Sequence, residues 1–198
     1  MSNKLGLKLN KFSGLGNKIV LVDLIRQDHQ IDSRLVLKLS KQYAIDFDQL
    51  ISILPPRKTD MDFSAEIFNA DGSKAKNCIN GARCLGKYIF DTQLSVKPKL
   101  FIETGESDWI ISPVKKNIYR VFQKRPNLNQ REVILPKKNP KGLYELTLFD
   151  KSLAISFINI GNPHAVVFTS NIKEFKLDEW GQQLQQSKYF PKGVNLGV

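Results

Sequence analysis

Cysteine and histidine are scarce in this chain of 198 residues: Cys78, Cys84, His29 and His164 are all it has. The two cysteines flank the start of a predicted helix, where an intramolecular disulfide has no evident structural purpose, and no zinc-ligand spacing is present. No N-terminal stretch joins a basic start to a long apolar core, and no apolar run is long enough to cross a bilayer. The expectation is a cytoplasmic protein with no membrane partner and no metal. Acidic residues are also few, 19 against 30 lysines and arginines, for a formal charge of +11. The basic residues are spread along the chain, densest at Arg57-Lys58, Lys115-Lys116 and Lys137-Lys138, with no interleaved aromatic motif. They predict a solvated surface and no specific nucleic-acid partner. A hydrophobic content of 41% suffices for a packed core in one large or two small domains.

The richest stretch is Asn69 to Cys84, NADGSKAKNCINGARC. A polar loop leads to Cys78, and Asn80-Gly81-Ala82-Arg83 opens an apolar run through Cys84, Leu85, Tyr88, Ile89 and Phe90. This predicts a helix with Cys78 just ahead of its first turn. The N–H groups and positive dipole end of such a helix favour an anion, so they can lower a thiol pKa and hold a carboxylate. A buried, inert cysteine accounts for the same spacing equally well.

Strand-like runs occur at Gly6 to Phe12, Ile19 to Leu24, Leu50 to Leu54, Phe63 to Phe68, Leu100 to Glu103 and Trp109 to Ser112. Helices are predicted over Arg34 to Tyr43, behind the cap Ser33, and after Asn80. Beyond a polar, proline-bearing segment from Lys124 to Gln130 the pattern restarts. Val133 to Leu135, Tyr144 to Leu148, Leu153 to Ile158 and Ala165 to Phe168 read as strands, and Leu177 to Gln186 as a helix. Two similar α+β domains are expected, 1–123 and 124–198.

Four further segments join the Asn69 to Cys84 block: Phe12-Ser13-Gly14-Leu15-Gly16-Asn17, Asp48-Gln49, Gly161-Asn162-Pro163-His164 and Phe190-Pro191-Lys192-Gly193-Val194-Asn195. Their order and spacing resemble the diaminopimelate epimerase family across essentially the whole chain. The resemblance implies two pseudo-symmetric domains, each a curved sheet around a central helix, with the active site in the cleft between them. It implies cofactor-independent interconversion of LL- and meso-diaminopimelate, in lysine and peptidoglycan synthesis, by a cysteine acid/base pair. Position by position, Cys78 matches the first domain's catalytic cysteine. Asn17, Gln49, Asn69, Ile79, Asn80, Asn162 and Asn195 match substrate-binding positions, and His164 matches a residue that tunes the cysteines. Neutral Asn and Gln suit a diamino diacid, since they donate and accept without adding charge. Outside that context each Asn reads as a turn or cap residue. The implied partner is the small-molecule substrate, and a homodimer is compatible with the reading.

Three departures from the family pattern stand out. Ile79 occupies the place of a glycine whose backbone N–H contacts the substrate carboxylate, and its β-branch disfavours positive φ. Lys18-Ile19 replaces Asp-Phe after Asn17. The family pattern continues past Asn195 to a second cysteine, whereas the sequence ends at Val198, so an incomplete second domain and impaired activity are expected. The alternative is an inactive epimerase-like remnant acting only as a binding or interaction protein.

Overall fold

A computed structural model describes residues 6–105, 107–123 and 133–198. The chain divides into two compact units, Met1–Lys124 and Arg125–Val198. The expected boundary segment, Lys124 to Gln130, lies outside the described residues.

The first unit is a seven-stranded sheet in sequence order: β1 (Asn10–Gly14), β2 (Asn17–Asp23), β3 (Gln49–Leu54), β4 (Phe63–Asn69), β5 (Leu100–Glu103), β6 (Trp109–Lys115) and β7 (Ile118–Phe122). β2–β3 and β4–β5 run parallel and the other neighbours antiparallel. Helix α1 (Ser33–Leu37), continued by a π-helical turn over Lys38–Gln42, lies between β2 and β3, and helix α2 (Ile79–Asp91) between β4 and β5. Both edge strands, β1 and β7, touch α2, so the sheet curls strongly around that helix.

Strand alternation explains the curl. Ile19, Leu21, Ile51, Ile53, Phe63, Ala65 and Ile67 turn inward and bury against Ala82, Leu85, Tyr88 and Ile89 of α2. The intervening Val20, Val22, Leu50 and Phe68 face the other way and are covered by Val36 and Leu39 of the first helical segment. The central strands therefore read as continuous apolar runs, the mark of a sheet covered on both faces.

The second unit is a four-stranded sheet formed by β8 (Tyr144–Leu148), β9 (Lys151–Asn159), β10 (Pro163–Val166) and β11 (Asn195–Gly197), in the order β11-β10-β9-β8. Helix α3 (Leu177–Gln185) supplies Leu184 and Trp180 to its core, with Tyr144, Leu146, Ile155, Phe157 and Phe190.

Several boundaries differ from the sequence expectation. The first helix is capped by Asp32, whose carboxylate accepts the Leu35 N–H at 2.7 Å, not by Ser33. Val133 to Leu135 forms no strand. β7 and β11 were not foreseen: β7 alternates half-buried and exposed residues, and β11 is only three residues long. Among the described residues no helix is long and apolar enough to cross a membrane.

Candidate functional site

Strand parity assembles the first cluster. Asn17, Gln49 and Asn69 share the inward parity of Ile19, Ile51 and Ile67, so they continue the apolar stripes of β2, β3 and β4 as polar ends on the concave face. The register sets Ile19 beside Gln49 and Gln49 opposite Asn69. Asn17 is delivered by a two-residue turn in which Leu15 and Gly16 both have positive φ, the type I′ geometry that matches the twist of a β-hairpin.

Helix α2 starts over this rim. Cys78 is its N-cap, with extended backbone, and its Sγ accepts the Gly81 N–H at 3.2 Å. The residue before it is clamped: Asn77 Oδ1 accepts the Trp109 indole N–H at 3.0 Å, and Asn77 Nδ2 donates to Gln123 Oε1 at 2.8 Å. Asn80 Nδ2 donates to Asn17 Oδ1 at 2.7 Å, and Arg83 donates to Asn80 Oδ1 at 2.7 Å. On the other side Gln49 Nε2 donates to Asn69 Oδ1 at 3.0 Å. Asn69 Nδ2 donates to Ser73 Oγ at 3.0 Å, and Ser73 Oγ donates to Asp71 Oδ1 at 2.6 Å.

The thiol departs from expectation. Burial pushes the Cys78 pKa up, against the downward pull of the Gly81 and Asn80 N–H groups and the Arg83 guanidinium. A helix N-terminus was expected to lower it; here the loss of hydration outweighs the pull of those N–H groups. Cys84 is buried and pushed up to about 11, again chiefly by burial. A hollow of about 290 Å³ lies beside it, lined by Gly14, Leu15, Arg83, Lys87 and Tyr119 among others.

The second unit carries the remaining candidates. His164 on β10 pairs in register with Asn195 on β11. His164 Nε2 lies 3.1 Å from Asn162 Oδ1, and Asn195 Nδ2 donates to the Pro163 carbonyl at 3.3 Å. Burial lowers the His164 pKa, which favours the uncharged ring. Among the described residues no three His, Cys, Asp or Glu side chains gather around a point that could hold a metal ion.

No family model matches the chain. The chain is 32% identical over 202 residues to the diaminopimelate epimerase of Acinetobacter baumannii strain AYE, covering 96% of this chain and 69% of that protein. It is 32% identical over 192 residues to that of Azotobacter vinelandii, covering 96% and 70%. The chain belongs to the diaminopimelate epimerase family. It is thereby an isomerase of the amino-acid epimerase and racemase class. Among solved structures, a hydroxyproline epimerase from Agrobacterium vitis aligns with TM-score 0.59 at 10% identity, over 90% of this chain and 58% of that one. A phenazine biosynthesis protein from Enterococcus faecalis aligns with TM-score 0.50 at 8% identity, over 96% and 66%. At such identities these two share the fold alone.

Two departures of this epimerase-family chain lose their apparent cost in the structure. Ile79 is the first residue of α2 and is not among the residues with positive φ, so its β-branch meets no backbone strain. Lys18 has the outward parity of its strand: its ammonium pairs with Asp46 at 2.5 Å and its N–H with Asp48 Oδ2 at 2.8 Å. Its charge is therefore paired on the outer side of the sheet, away from the amide rim. Arg83 and Ser73, which the sequence did not single out, are bonded to the candidate residues Asn80 and Asn69, and Asp71 stands behind Ser73. Their signal was chemical type, a donor-only cation and an acceptor-only anion flanking runs of ambivalent amides.

Proposed function

We propose that the chain acts as a diaminopimelate epimerase, moving the α-proton of LL- and meso-diaminopimelate with the Cys78 thiol and without a cofactor. The observation that carries this reading is the position of Cys78 as N-cap of α2, above a rim of neutral amides from Asn17, Gln49, Asn69 and Asn80. A diamino diacid brings paired ammonium and carboxylate groups, which such a rim can meet without competing charge. As a base, the Cys78 thiolate takes the α-proton, and the C–H electron pair passes to carbon and into the carboxylate. The N–H groups at the start of α2 that the Cys78 sulfur does not take can stabilise that charge. As an acid, the same sulfur returns a proton, a role that suits a thiol whose pKa burial raises. Asn162 and Asn195 are assigned to substrate binding and His164 to tuning the thiol chemistry, on the family resemblance. Ile79 presents an N–H from a helical backbone, so it gives no support to a non-catalytic remnant.

The test separates exchange from inversion. The purified chain is incubated with each stereoisomer in deuterated water, and deuterium at the α-carbon and stereochemistry are followed independently. Deuterium is expected to enter with Cys78 present and not with Cys78→Ala. Equal incorporation by both proteins would overturn the reading. Inversion additionally requires a proton donor on the opposite face of the carbon, which one sulfur cannot supply.

A further inference from the structure

The rim amides are wired in two chains, and each chain ends on a group that can play one hydrogen-bonding role only. Arg83 can only donate, so the Asn80 atom 2.7 Å from it is the carbonyl oxygen. The Asn80 amide nitrogen then faces Asn17, and the Asn17 atom that meets it at 2.7 Å is again an oxygen. The open end of this chain is Asn17 Nδ2, a donor. Asp71 can only accept: one of its oxygens takes both the Ser73 N–H at 2.9 Å and the Ser73 hydroxyl at 2.6 Å. That commits the hydroxyl proton and leaves its oxygen to accept from Asn69 Nδ2 at 3.0 Å. Asn69 Oδ1 in turn accepts from Gln49 Nε2 at 3.0 Å. The open end of the second chain is Gln49 Oε1, an acceptor. Among the described residues neither open end has a protein partner.

We propose that Arg83 and Asp71 are positioning residues that set the polarity of the rim, so that its Asn17 end recognises a carboxylate and its Gln49 end an ammonium group. An isolated Asn or Gln can rotate its amide and offer either role at equal cost. A chain anchored on a cation or an anion cannot turn over without placing two donors or two acceptors face to face. The device would give a site built from neutral amides a fixed sense for the two ends of an amino-acid zwitterion. The Ser73 hydrogen bonds also hold the Asp71 carboxyl below its ordinary pKa, so the anchor stays anionic through the neutral range.

The inference rests on the proposed binding of diaminopimelate, and calorimetry with two probes separates them. Diaminopimelate carries both groups, whereas pimelate carries the carboxylates alone. Asp71→Ala frees the Ser73 hydroxyl and should weaken diaminopimelate about tenfold while leaving pimelate within twofold. Arg83→Met should weaken both by a similar factor. Asp71→Asn, which keeps an acceptor for the Ser73 N–H, and Arg83→Lys, which keeps a donor-only cation, should restore most of the binding. Equal losses for the two probes in Asp71→Ala, or no loss in either variant, would overturn the polarity assignment while leaving the function standing. Failure of the unaltered chain to bind diaminopimelate would overturn both.

Discussion

Gly81 donates its backbone N–H to Cys78 Sγ at 3.2 Å, and a side chain there would have to displace the buried Ile51 methyl. A Cβ built there would lie 2.3 Å from Ile51 Cδ1 and 3.1 Å from the same sulfur. The close approach of α2 to β3, which brings the thiol over the amide rim, thus depends on a residue without a side chain. Alanine would gain up to about 1 kcal/mol of helix propensity but would overpack a fully buried contact at about 1 to 3 kcal/mol. Gly81→Ala should therefore lose about 1 kcal/mol in urea unfolding and alter the alkylation rate of Cys78. A more stable variant with an unchanged rate would refute the close-packing account.

Cys78 should react as a thiol of raised pKa. The dependence of its iodoacetamide alkylation on pH, followed by mass spectrometry to distinguish it from Cys84, should show a midpoint above that of a free cysteine. Arg83→Met removes a nearby positive charge that favours the thiolate and should move the midpoint further up. A downward move would show that the guanidinium does not act on the sulfur.

Cys84 makes the fold sensitive to alkali. Its folded pKa, pushed up from 9.0 to about 11, means that the unfolded chain loses this proton first. The stabilisation is fully present below pH 9 and is lost as pH rises through 11, by then about 2 kcal/mol. Tyr88, buried and donating to Asp23 Oδ2 at 2.9 Å, is pushed up to about 12 and adds the same sign of effect from pH 10 upward. Unfolding free energies measured between pH 8 and 11 should fall less steeply in Cys84→Ala. Parallel slopes would rule the assignment out.

Ile79→Gly should not improve ligand binding. Sequence comparison with the family pattern suggests that glycine would relieve strain, but Ile79 already has helical backbone and packs against the core. The variant should bind diaminopimelate within twofold of the parent and lose about 1 kcal/mol of stability through helix propensity and apolar contact. Tighter binding would reveal a strained turn in the bound state.

Much of the fold was legible locally. Period-two runs marked most strands, and the polar loop before Cys78 marked the start of α2, because alternation and capping are properties of neighbouring residues. β7 escaped notice because Ile118 and Phe122, apolar yet exposed, blur the alternation, and β11 because three residues carry too little pattern. The Ser33 cap was misplaced by one residue because Asp32 and Ser33 are both good caps, and only the chain path decides between them.

For the site, the sequence alone determined the residue types and their order: Asn17, Gln49, Asn69, Cys78 and Asn80 follow from motifs that survive without coordinates. It also determined the family to which they belong. Only the tertiary structure decided that strand parity and register bring three of these onto one concave face, and that burial outweighs the N–H groups at the start of α2 in setting the direction of the thiol's shift. It alone showed that Arg83 and Asp71 stand behind the amides. The anchoring contacts are themselves local, Arg83 to Asn80 and Asp71 to Ser73, but the amides they orient meet partners distant in sequence, Asn17 and Asn80 being 63 residues apart and Gln49 and Asn69 20, and desolvation likewise depends on the packed neighbours.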